Sequence, residues 1–105
     1  MEYKKPLITV NILTYNNFDY LEETINSVYF QDYPNIEIIL SDDGSSNYDS
    51  DYIKKVTSKK PGNIRKLQII HHEKNIGTVK NLNNCIRNAN GDFFIGLASD
   101  DMFYE

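Results

Sequence analysis

The sequence predicts an α/β fold, a doubly wound parallel sheet with its strands in the order 3-2-1-4. Four short apolar runs alternate with three stretches of helical periodicity, and strand–helix alternation implies parallel crossovers. The runs are nearly continuous in apolar character, as in "NIEIILSD" over 35–42, which fits strands covered on both faces. A length of 105 residues, 40% apolar and 25% charged, suits one globular domain with a modest core.

The first run, "PLITVNILTYN", reads as a strand from about Leu7 to Leu13. In "FDYLEETINSVYFQ", Leu21, Ile25, Val28 and Tyr29 share a helical face, and Asp19 with Glu22 has the spacing of a capping box. Pro34 follows as a stop. "NIEIILSD" is the second strand. "DSDYIKKVTS" is a weaker helix with Ile53 and Val56 as its firm apolar positions, and "KKPGN" is a turn. "KLQIIHH" is the third strand. "GTVKNLNNCIRNANG" is a helix with Val79, Leu82, Ile86 and Ala89 on one side, Thr78 as N-cap and Gly91 as stop. "DFFIGLAS" is the fourth strand.

Composition excludes several classes. No apolar run is long enough to span a bilayer, and no charged start leads into an apolar stretch with a cleavage site, so no signal peptide is expected. The net charge is −4 with dispersed basic residues, which argues against nucleic-acid binding. The single cysteine, Cys85, forms neither an internal disulfide nor a cysteine-rich zinc site. It reads as a small core residue, and a reducing, cytoplasmic setting is expected.

In doubly wound sheets, ligands bind outside the carboxyl ends of the strands at the switch point. Three pieces of sequence converge there: Tyr15 and Asn16 after strand 1, Asp42 and Asp43 after strand 2, Asp100 and Asp101 after strand 4. An acidic dipeptide at one strand end is by default a turn or cap; two pairs at matched ends favour a site. Paired carboxylates make a hard-oxygen site for Mg²⁺ or Mn²⁺ under a phosphate, a use that suits Asp100 and Asp101. Asp43 precedes Gly44, where the chain turns sharply, and with Asp42 offers carboxylate acceptors to a base or ribose. Tyr15 offers a face for a base to stack on. Asn75 and Gly77 open the third helix with free N–H groups, and Lys80 lies within reach of a phosphate there. His71 and His72, at the end of strand 3, are placed far from the switch point and read as structural or exposed.

With these residues in view, the chain resembles the family-2 glycosyltransferases of the Rossmann-like, three-layer GT-A fold. The resemblance rests on "PLITVNILTYN", "QDYPNIEIILSDDGSS", "NIGTVKNLN" and "NANGDFFIGLASDD" in that order. It implies that Tyr15 stacks on the base, that Asp43 hydrogen-bonds to it, and that Asp100 and Asp101 hold the ribose and a divalent ion. It implies a nucleotide-sugar donor, most often a UDP-sugar, and transfer to an acceptor hydroxyl with inversion. The acceptor would be a saccharide, a lipid-linked sugar or a protein, in cell-wall or polysaccharide biosynthesis. Residues 1–105 would then be the donor-binding part, inactive alone, with the acceptor half and the catalytic base elsewhere. The full enzyme is expected in the cytoplasm or peripheral at the inner membrane face, and a homodimer is allowed. Two departures stand out: Ala98 where many members carry an aspartate, and Leu82 before Asn83 where many carry an arginine.

Other nucleotide-binding folds fit less well. "LTYNNFDY" after strand 1 has neither the glycine nor the basic residue of a phosphate loop, and no G-x-G-x-x-G is present. A receiver-type domain would carry its acidic residues after strands 1 and 3. The alternative is a non-catalytic nucleotide-binding or interaction domain of α/β fold.

Overall fold

A computed structural model of the chain describes residues 5–98. The order is β1 (Ile8–Thr14), α1 (Leu21–Tyr29), β2 (Ile36–Asp42), α2 (Ser50–Thr57), β3 (Ile64–His71), α3 (Thr78–Asn88) and β4 (Phe93–Ala98). The four strands form one sheet in the order β3-β2-β1-β4, with every pairing parallel. The expected class and strand order are both present. Register aligns the carboxyl ends: Thr14 lies opposite Asp42, Asp42 opposite His71, and Leu13 opposite Ala98.

Strand alternation divides the sheet into two unlike faces. One is apolar. Val10 and Ile12 of β1 and Ile36, Ile38 and Leu40 of β2 pack against Leu21, Ile25 and Val28 of α1 and Ile53 and Val56 of α2. The other face is polar yet buried, carrying Thr9, Asn11, Glu37 and Ser41. Buried polar groups must be paired, and most of these are. Glu37 accepts from Thr9 Oγ1 at 2.8 Å, from the Asn90 amide at 2.8 Å and from Asn90 Nδ2 at 2.9 Å. Asn11 Nδ2 donates to the Ile39 carbonyl at 3.1 Å.

That polar face explains where α3 departs from expectation. Its apolar stripe of Val79, Leu82, Ile86 and Ala89 is not the face laid on the sheet: Val79 is 71% and Ile86 50% exposed, while Leu82 and Ala89 are half-buried. The helix presents Asn81 and Cys85 instead, an amide and a small side chain that suit a surface of hydroxyls and amides. Gly77, not Thr78, is the N-cap, with φ +90°. Gly91 does not end the helix, which stops at Asn88. Gly91 lies against β1, where a Cβ would come within 2.4 Å of Thr9 Oγ1, and its N–H donates to that oxygen at 2.9 Å. The Asp19–Glu22 capping box does not form: Tyr20 is the N-cap of α1 and makes no side-chain cap bond. By contrast Asp49 caps α2, accepting from the Asp51 and Tyr52 amides.

Glu37 fastens the end of the last crossover to β1 and β2. Glu37→Gln, which loses a charged acceptor serving two donors on Asn90, is expected to cost about 1–3 kcal/mol, read as a lowered urea midpoint with an unchanged m-value. An unchanged midpoint would show that the crossover is held elsewhere.

Candidate functional site

The sheet ladder continues past the strands at their carboxyl ends. The Asp43 amide donates to the Thr14 carbonyl at 2.9 Å, and the His72 amide to the Asp42 carbonyl at 3.0 Å. These bonds fix the start of the turn 43–46 between its neighbours.

Asp42 organises that turn. It is buried, 1% exposed. Its Oδ1 accepts from Thr14 Oγ1 at 2.7 Å and Ser45 Oγ at 2.5 Å. Its Oδ2 accepts from the Ser45 amide at 2.8 Å and His71 Nδ1 at 2.9 Å. Burial opposes the charge, but the hydrogen bonds from Ser45, Thr14 and His71 outweigh it and hold the carboxyl below the usual aspartate range. With its acceptor sites occupied, Asp42 is a holder of the turn rather than a group open to a ligand.

Asp43 differs. Its Oδ1 accepts from the Ile76 amide at 2.8 Å, and its Oδ2 takes no hydrogen bond from the described residues. Asp43 borders a cleft of about 410 Å³ with Tyr15, Asn17, Asn81, Leu82 and Leu97. Tyr15 is 51% exposed at this cleft. Of the predicted site residues, Tyr15 and Asp43 are therefore brought to one cavity at the point where β1 separates β2 from β4.

Asn16 is not in the lining. It adopts φ +53°, its amide donates to Ser45 Oγ at 2.7 Å, and its Oδ1 accepts from the Ser46 amide at 3.0 Å. It binds the turn after β1 to the turn after β2. The Asn75 backbone lies against Gly44 and Gly77 begins α3, and neither is in the cleft lining. Lys80 is exposed and borders a separate depression with His72, Ile76 and Arg87, so this arrangement does not bring it to the cleft. Asp100 and Asp101 lie outside the described residues. Among the described residues no group of three or more His, Cys, Asp or Glu could hold a metal. Asp43 brings one open carboxylate oxygen, too few donors for a divalent ion by itself.

Sequence reasoning missed Ser45 and His71. The spacing Asp-x-x-Ser is a local turn signal, because an aspartate can accept from the amide three residues on. His71 has no such signal. Its place beside Asp42 is set by the register of β3; it lies outside the cleft lining, on the edge strand away from the switch point, as a structural partner of Asp42.

Against this geometry, a sequence model of glycosyl transferase family 2 matches residues 9–105. The chain belongs to that family. It is 35% identical over 99 residues to an uncharacterized glycosyltransferase of Rickettsia felis, covering 94% of this chain and 15% of that protein. It is 31% identical over 97 residues to a putative teichuronic acid biosynthesis glycosyltransferase, TuaG, of Bacillus subtilis, covering 92% of this chain and 37% of that protein. The chain thus spans well under half the length of these relatives. The mannosyltransferase PcManGT of Pyrobaculum calidifontis, solved with GDP-Man and Mn²⁺, superposes with a TM-score of 0.86 at 24% identity over 97% of this chain and 30% of its own, a likeness of fold. TarS of S. aureus, solved with UDP-GlcNAc, superposes with a TM-score of 0.73 at 28% identity over 91% of this chain and 27% of its own. The family-2 chain has the sheet order and layering of the GT-A fold.

Two outcomes follow for the turn that carries Asp43. Gly44 has φ +76°, and a Cβ there would meet the Asn75 nitrogen and the Lys74 carbonyl carbon at 2.5 Å. Gly44→Ala is therefore expected to cost about 2–4 kcal/mol from left-handed strain plus a backbone clash, measured by urea unfolding; a wild-type midpoint would contradict the close approach. The Asp42 carboxyl is lowered in the folded state, so its stabilisation is complete above the unfolded value of about 3.9 and is lost as pH falls through the native one. Asp42→Asn should flatten the acid limb of the stability–pH curve, with Glu37, also lowered, leaving a residual slope. An unaltered limb would contradict it.

Proposed function

We propose that this chain forms the donor-nucleotide part of a glycosyltransferase that moves a sugar from a nucleotide sugar to an acceptor hydroxyl. The observation that carries the reading is the cleft at the carboxyl edge of the sheet, bordered both by an exposed Tyr15 and by Asp43, a buried carboxylate whose Oδ2 takes no hydrogen bond from the described residues. An aromatic face and a fixed carboxylate acceptor suit a planar base that carries an N–H donor. The Asp43 carboxylate is aimed before any ligand arrives, because Ile76 holds its other oxygen and Thr14 holds its amide. Preorganisation of this kind reduces the ordering cost of binding. Nucleotide sugars in the solved relatives, GDP-Man in one and UDP-GlcNAc in another, support a nucleotide-sugar donor, with a UDP-sugar as our choice.

In the reaction, the acceptor oxygen attacks the anomeric carbon, the bond from that carbon to the phosphate oxygen breaks, and the nucleoside diphosphate leaves. The acceptor proton passes to a base that we assign to no residue of this chain. Tyr15 and Asp43 bind and orient the nucleotide end. A divalent ion, Mn²⁺ or Mg²⁺, would neutralise charge on the diphosphate, and Asp100 and Asp101 are the residues we propose to hold it. No helix among the described residues is long and apolar enough to cross a membrane. From the family membership we place the full enzyme in the cytoplasm or peripheral at the inner membrane face. The acceptor is a saccharide, a lipid-linked sugar or a protein hydroxyl.

Calorimetric titration with UDP and with GDP, each in Mn²⁺, tests this reading. Binding of one nucleotide is expected, weakened by chelating the metal. Tyr15→Ala should cost about 1–3 kcal/mol of affinity, and Asp43→Asn about tenfold or more. Binding that ignores both substitutions would sink the proposal.

A further inference from the structure

His71 and Tyr48 lie outside the cleft and have no part in the reading above. Yet they form an ordered unit behind it. The Tyr48 ring stacks on the His71 imidazole with centroids 3.8 Å apart and planes 11° apart. Phe18 meets Tyr48 in a T-shaped contact with ring centroids 6.4 Å apart. The stack sets the plane of the imidazole, and the register of β3 sets its height beside Asp42. Because the Asp42 carboxyl is ionised, it can only accept. Nδ1 of His71 must therefore carry the proton that lies between them.

From Asp42 the bonds run toward the cleft. Asp42 accepts from the Ser45 amide and hydroxyl. The same Ser45 hydroxyl accepts from the Asn16 amide, and Asn16 Oδ1 accepts from the Ser46 amide. Tyr15 and Asp43 are the chain neighbours of Asn16 and Asp42. We propose that His71, held flat by Tyr48, is a positioning residue for the donor site: it supplies the donor that completes Asp42, and so fixes the two turns that carry Tyr15 and Asp43. This inference rests on the donor-site reading above.

The chemistry explains why one distant donor matters. Asp42 is a buried carboxylate, and an unfilled acceptor on it attracts water or draws in another donor. Either change loosens Ser45, which is shared by both turns. Loosened turns must then be ordered by the ligand, and affinity falls.

The test is titration of the full chain with UDP and GDP in Mn²⁺, well below the melting temperature of each variant. His71→Ala should weaken binding by about tenfold or more, the effect of losing a hydrogen bond to a charged group. His71→Asn, whose side-chain amide places an N–H near the position of Nδ1, should recover most of that loss. Tyr48→Phe keeps the stack and should bind as wild type, whereas Tyr48→Ala should follow His71→Ala. Imidazole ¹⁵N signals of the wild type should show the proton on Nδ1 and should move when nucleotide is added. A purely structural role would lower the melting temperature of His71→Ala while leaving the affinity of the folded protein unchanged, and that result overturns the proposal. Asp43→Asn separates the two failures. If Asp43→Asn weakens binding and His71→Ala does not, the donor site stands and the positioning role falls. If the wild type binds neither nucleotide, the donor-site reading falls and takes this inference with it.

Discussion

A single buried carboxylate, Asp42, holds the candidate site together. It sits at the last position of the central strand β2 and receives bonds from three directions: Thr14 on β1, His71 on β3 and Ser45 on the turn that follows. A charge at such a place is unfavourable unless its acceptors are filled. Filling them obliges β1, β3 and the turn to adopt one relative arrangement. The constraint therefore turns a costly group into a fixed frame, and Asp43, one residue on, inherits the frame and faces the cleft. The two adjacent aspartates divide the labour: the first is consumed by the protein, the second is left with one oxygen open.

The same logic of burial with satisfaction runs along the polar face of the sheet. Thr9, Asn11, Glu37 and Ser41 are covered by α3 and the chain that follows it, and Glu37 and Thr9 take Asn90 and Gly91 as partners. Ser41 Oγ donates to Asn81 Oδ1 at 2.5 Å, which ties the first turns of α3 to β2 next to the cleft. The apolar face supplies the stabilising burial through Ile12, Ile38, Leu21 and Ile25. The polar face supplies position. A core of hydrocarbons tolerates small slips, whereas paired hydrogen bonds do not.

Much of this was legible in the sequence. The alternation of runs and periodic stretches specifies the element order, and the apolar strands specify a doubly covered parallel sheet. The convergence of Tyr15 and Asp43 follows once strand ends are aligned. What could not be read was partnership across the sheet. His71 carries no local mark of its place beside Asp42, since that place depends on the pairing of β3 with β2. The facing of α3 was hidden for a related reason: periodicity identifies an apolar stripe through Val79 and Ile86, but the sheet beneath is polar and selects Asn81 and Cys85. Lys80 looked close to a phosphate because it lies near a helix start; helical rotation points it to another depression.

The proposed donor site comes down to one claim, that a nucleotide base sits on Tyr15 and is read by Asp43. A crystal structure of the protein with a nucleotide sugar and Mn²⁺ tests it most directly. The account predicts the base in the cleft bordered by Leu82 and Leu97, its ring against Tyr15 and an N–H of its edge within hydrogen-bond distance of Asp43 Oδ2. A nucleotide found elsewhere, as in the groove between α1 and α2 lined by Phe30, Lys55 and Lys59, would contradict it.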